Sequence, residues 1–119
     1  MIKRNIEIQF QKEGIHRYPA AATDPNLEDV SYLAHEHLHY FFFYVKLEVF
    51  HNDRCVEFQQ FRRWCESLYR DNIIKIDFKS CEMLAEELIN QINEKYPGRA
   101  IEVRVYEDNI NGAVLNYIE

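Results

Sequence analysis

The sequence predicts an α+β domain: an antiparallel four-stranded sheet with two helices on one face, in the order β-β-α-α-β-β. Two observations carry this. Apolar residues recur every second position near both ends of the chain, and every third or fourth position in its middle. The two helical segments also stand together, flanked by strand pairs that loops join, as in α+β domains with segregated helices. A length of 119 residues suits a single domain over 1–119.

The elements follow in order. Ile6, Ile8 and Phe10 alternate with Asn5, Glu7 and Gln9, which describes a strand with one buried face. A turn-rich stretch runs from Gly14 through Pro19, Asp24, Pro25 and Asn26. The second strand spans about Leu38 to His51, with Phe41, Phe43, Val45, Leu47 and Val49 on one face. From about Glu57 the period changes, and Phe58, Phe61, Trp64, Cys65 and Leu68 fall on one side of a helix. Ile73, Ile74 and Ile76 lie in a short connector with no assigned structure. Ser80 is the expected N-cap of a second helix, with Glu82 in its first turn and Leu84, Leu88 and Ile92 as its apolar stripe. Tyr96-Pro97-Gly98 ends that helix. Ile101, Val103 and Val105 form the third strand. Residues 108–112 form a hairpin connection containing Asn111-Gly112, and Val114, Asn116 and Ile118 belong to the fourth strand.

Composition narrows the function classes. With 47% hydrophobic residues, including eight Phe, eight Tyr and one Trp, the chain can bury a substantial core. The net charge of −6, and the absence of any Lys/Arg run longer than two, argue against nucleic acid as a partner. No apolar stretch reaches the length of a membrane span, and the first residues lack the apolar run of a signal peptide. Cys55, Cys65 and Cys81 are widely spaced and odd in number, which suits buried thiols in a reducing compartment. A cytoplasmic protein is the expectation.

The chemistry-bearing feature is His35-Glu36-His37-Leu38-His39. Residues two apart on a strand share a face, so His37 and His39 can converge on one ion, and His35 shares their parity. Zinc favours imidazole nitrogen, and a catalytic site combines three protein ligands with an open position. His16, on the first strand or in the loop after it, supplies a third ligand if the two strands pair antiparallel. Solvated histidines at a strand entrance and a pH-responsive cluster are the alternative readings.

Several segments, taken in order, resemble the 6-pyruvoyltetrahydropterin and 6-carboxytetrahydropterin synthases. These are Gly14-Ile15-His16-Arg17 and His37-Leu38-His39-Tyr40-Phe41, which resemble a first-strand His followed by His-Gly-His opening the second strand. Arg54-Cys55-Val56-Glu57-Phe58, with Phe61-Arg62, is similar to the segment that opens that family's first helix. Ser80-Cys81-Glu82-Met83-Leu84-Ala85 resembles the start of its second. Val103-Arg104-Val105-Tyr106-Glu107 resembles the third-strand segment ending in the glutamate that anchors the pterin. The resemblance implies a tunnelling fold (T-fold) and Zn2+ held by His16, His37 and His39, with His35 as the alternative register. It also implies a pterin or purine-like ring held by Glu107, whose carboxylate accepts hydrogen bonds from an amino-pyrimidinone edge.

The chain departs from that pattern in three places. The family's catalytic Cys has no counterpart in Val30-Ser31-Tyr32-Leu33-Ala34, where Ser31 is the nearest hydroxyl, and Asp29 and Glu36 are the nearest candidate bases. Leu38 stands where the family has Gly. The Asp and His that assist proton transfer have no clear counterpart between Asp71 and Lys79. Two readings follow: a zinc-dependent carbon–oxygen lyase acting on a GTP-derived pterin, with queuosine or other deazaguanine synthesis as one pathway, or a non-catalytic module that binds a pterin, guanine-like base or nucleotide. Under either, open sheet edges lead to the expectation of a homo-hexamer or another closed ring.

Overall fold

The computed structural model of the chain, which describes residues 1–118, is built on two long antiparallel strands. β1 (Arg4–His16) and β2 (His37–Val49) pair along their full length, from Arg4 opposite Val49 to His16 opposite His37. Between them, residues 17–36 form two 3₁₀ segments, Pro19–Ala22 and Pro25–Ala34, each opened by a proline where a missing N–H costs nothing. After β2 come α1 (Phe58–Ser67), β3 (Ile73–Asp77), α2 (Cys81–Lys95), β4 (Ile101–Glu107) and β5 (Asn111–Tyr117).

The sheet has five strands in the order β3-β1-β2-β4-β5, not the four expected. The additional strand is the unassigned connector. It pairs parallel to β1, so the sheet is mixed rather than purely antiparallel. Ile74 and Ile76 point into the core while Ile73 stays exposed, and the Ile73-Ile74 doublet hides that alternation in the sequence. Gly14 lies in β1, not in a turn. A Cβ there would stand 2.5 Å from Ile76 Cδ1 and 2.9 Å from Phe41 Cδ2, so glycine is what lets these side chains close over β1. In the last hairpin the bend falls at Asp108 and Asn109, both left-handed (φ 52° and 57°), and Asn111-Gly112 already opens β5. Asp and Asn tolerate that conformation better than most residues, which explains the shift.

One face of the sheet carries the core. Ile8, Phe10, Phe41, Phe43, Val45, Leu47, Val103 and Val105 form one buried cluster with Phe61 and Cys65 of α1 and Leu84, Ala85, Leu88 and Ile92 of α2. Phe10 stacks on Phe43 with ring centroids 4.7 Å apart. Both helices therefore cover the same face, as expected. Phe58 and Leu68 stay exposed, because they fall at and just beyond the ends of a ten-residue α1. Ser80 caps α2 by accepting a hydrogen bond from the Met83 N–H at 3.1 Å. The other sheet face mixes charged and aromatic residues, with Lys46 between Glu7 and Glu102 at 3.8 and 3.9 Å and Tyr44 beside Tyr106. No helix among the described residues is long and apolar enough to cross a membrane.

Candidate metal centre

Strand parity brings the site together. His16 has the parity of Ile8 and Phe10, His37 and His39 that of Phe41 and Phe43, and Glu107 that of Val103 and Val105. All four therefore face the helix-covered side, at the sheet end where β1 finishes, β2 begins and β4 finishes. His16 lies directly opposite His37, and Glu107 opposite Phe41. The ring nitrogens of His16, His37 and His39 lie within 4.8 Å of one another. His35 precedes β2, is exposed and does not join the group.

Each imidazole is oriented by its second nitrogen. His16 Nδ1 lies 3.3 Å from the Lys79 carbonyl oxygen and His37 Nδ1 2.8 Å from the His35 carbonyl oxygen. His39 Nδ1 lies 2.5 Å from Asp108 Oδ2. Acceptor oxygens at all three Nδ1 atoms select the tautomer with the proton there, which leaves each Nε2 with a lone pair. This is the outer arrangement that metal-binding histidines use. Asp108 is itself held: its other oxygen accepts the Tyr40 N–H at 2.9 Å, and its own N–H donates to the Tyr40 carbonyl at 2.7 Å. The Tyr40 N–H and the His39 ring hold the Asp108 carboxyl below its ordinary value.

Two of the inner nitrogens lack hydrogen-bond partners. His16 Nε2 and His39 Nε2 are buried without one, although Glu107 approaches them at 3.2 and 3.6 Å. Burial pushes the His16 imidazole below its ordinary value, opposed by the Lys79 carbonyl and Glu107. A neutral ring is the form that donates to a metal. Buried lone pairs facing a carboxylate are costly unless a cation or proton lies among them. The donor set thus fits a divalent ion that accepts imidazole, zinc included.

A cavity of about 530 Å³ opens on His16, His37 and Glu107, a size that suits a small organic ligand. Tyr18, Phe78 and Met83 give it apolar walls, and all three are partly exposed. Cys81, the first residue of α2, also lines it. Burial pushes that thiol up to about 12, and Glu107 and Glu82 add to the shift, so Cys81 is protonated at neutral pH. Ser31, Asp29 and Glu36 are exposed and do not line the cavity. They lie in or just after the second 3₁₀ segment, which carries only Leu33 to the cavity wall.

Three contributors escaped the sequence reading. Asp108 looked like hairpin punctuation, and the only hint of its role was its place directly after Glu107. The Lys79 carbonyl carries no signal in residue identity. Cys81 read as an inert buried thiol, although its place beside the Ser80 cap put it at the sheet end where α2 begins.

Fold and site together define a class: an α+β domain with a three-histidine candidate metal centre at one end of its sheet. Among solved structures, the chain is similar to the 6-pyruvoyl tetrahydropterin synthase of Plasmodium falciparum, with a TM-score of 0.62 over 97% of this chain and 98% of that one. Sequence identity is 14%, so the likeness establishes a fold of the pterin-synthase type. No family model and no curated protein sequence matches the chain.

Proposed function

We propose that this chain is a zinc-dependent protein of the 6-pyruvoyl/6-carboxytetrahydropterin synthase type, acting on a pterin or related GTP-derived, purine-like substrate by carbon–oxygen lyase chemistry. The observation that carries the reading is the convergence of three histidines whose Nδ1 atoms are tied to oxygens, with the inner nitrogens of His16 and His39 beside Glu107. Zinc bound there supplies Lewis acidity that polarises a substrate carbonyl or hydroxyl. Glu107 offers its carboxylate to the amino-pyrimidinone edge of the ring. Phe78, Met83 and Tyr18 provide apolar surface for the ring faces. The three free thiols suit a cytoplasmic setting.

The second reading, binding without turnover, is favoured by one observation. The thiol that reaches the cavity is held protonated, and the three residues proposed for proton transfer do not line it. Incubating zinc-loaded, tag-free protein with dihydroneopterin triphosphate separates the two. Product formation identifies the lyase, and bound but unchanged ligand identifies the module. A protein that neither binds nor converts the compound rules out both readings for this substrate.

Assembly into a hexamer or another closed ring accompanies the proposal. β3 and β5 are open sheet edges, and Ile110, Val114 and Ile118 are exposed in or beside β5. Unpaired edges with apolar side chains are usually covered. Light scattering is expected to return a multiple of the 14.4 kDa chain mass. A monomer at micromolar concentration would count against the ring.

A further inference from the structure

Glu107 stands close to two of the three histidines. Its Oε1 lies 3.2 Å from His16 Nε2 and its Oε2 lies 3.6 Å from His39 Nε2. Neither approach is a hydrogen bond, and both nitrogens are buried. With the Nδ1 protons committed to Lys79 and Asp108, these contacts set lone pairs against carboxylate oxygens. Such an arrangement repels unless positive charge lies among the atoms. Donors bound to one tetrahedral zinc at about 2.0–2.1 Å stand about 3.3 Å from each other. Each carboxylate oxygen therefore keeps, from one imidazole, about the separation that donors sharing one ion keep, with the carboxylate at the edge of the group of ring nitrogens that His16, His37 and His39 form.

We infer that Glu107 is a fourth donor to the cation held by His16, His37 and His39, so that the resting centre is capped by the chain's own carboxylate. This rests on the metal reading above and goes beyond it. The backbone supports the cap: Glu107 ends β4 in register with Phe41, two residues beyond His39, and the Asp108 side chain fixes the next position against His39 and Tyr40. A centre with four protein donors has no open position. A ring that claims the Glu107 carboxylate uncaps it, so ligand binding and access to the metal become one event.

The test uses metal alone, on tag-free native protein and on E107Q and E107A, with Glu102→Gln on the opposite sheet face as control. Zinc affinity is measured by competition with a chelating dye, and cobalt(II) reports coordination through its visible absorption. Both Glu107 variants are expected to bind zinc more weakly by at least the roughly 10–100-fold that loss of an outer partner costs. Their cobalt spectra should differ from native, while E102Q matches native in both. Native affinity and an unchanged cobalt spectrum in E107Q and E107A would overturn the inference while leaving the three-histidine site standing. Native protein that takes up no zinc would sink the metal reading itself, and this inference with it. E107Q is nearly isosteric, so its circular dichroism and melting temperature show whether a lost metal reflects the donor or the fold.

Discussion

Replacing His37 and His39 together by Ala is expected to abolish zinc uptake: protein purified without a polyhistidine tag should carry about one zinc per chain, and the double variant none. The expectation follows from how the two rings are held. His37 is oriented by the His35 carbonyl and His39 by Asp108, so both inner nitrogens aim at the group formed with His16. Removing both leaves one imidazole beside a carboxylate. The loss should far exceed the roughly 10–100-fold that removing an outer partner costs. Both side chains stand at the partly exposed entrance of β2, outside the core cluster, so the metal-free double variant should melt close to metal-free native protein. Elemental analysis gives the stoichiometry and calorimetry the melting temperature. A metal-free native protein, or a double variant that keeps its zinc, would remove the site. Acid should act in the same direction, because imidazole must be neutral to donate. Burial keeps His16 below the ordinary histidine range, so its ring stays neutral to lower pH.

Phe43→Ala is expected to cost about 3–5 kcal/mol, the usual range for deleting a buried phenyl ring. Phe43 is 0% exposed, at the middle of the central strand pair, stacked on Phe10 and 4.9 Å from the Tyr69 ring. Its truncation leaves a void walled by β1, β2 and β4 that the paired backbones cannot collapse into. Native domains are stable by only about 5–15 kcal/mol, so the loss takes a large share. At about 2–8 °C per kcal/mol across domains of comparable size, the melting temperature should drop by at least about six degrees. Denaturant titration with an unchanged m-value checks the free energy. A loss below about 1 kcal/mol would mean that the Phe43 ring contributes little to the core.

Much of the fold was legible because it depends on local alternation. Ile8 and Phe10, Phe41 through Val49, and Leu84, Leu88 and Ile92 declare their faces by spacing alone, and Ser80 declares the start of α2. Parity also aligned His37 with His39 and Glu107 with Val105, so the histidine group was accessible once β1 and β2 were taken as an antiparallel pair. β3 was not. Its five residues contain an Ile doublet, and its partner is β1, far upstream and parallel, so nothing local announces the pairing. The stretch 14–26 reads as turn-rich because its two prolines and short polar residues mask the end of β1 and 3₁₀ segments that bury little beyond Ala21.

What the sequence by itself determined is the set of faces along the long strands and α2: which of their side chains alternate toward the core, and that His37 and His39 share a side. Periodicity is a property of neighbours along the chain, and it survives whatever the distant segments do. The tertiary structure decided what those residues meet. It brought the Lys79 carbonyl to His16, Asp108 to His39, Cys81 to the cavity and Glu107 within 3.2 Å of a buried ring nitrogen. Each of these joins segments remote in sequence, and only the pairing of β1 with β3 and of β2 with β4 sets their distance. The histidines identify a candidate metal centre; the pairing of the strands determines that a carboxylate stands over it.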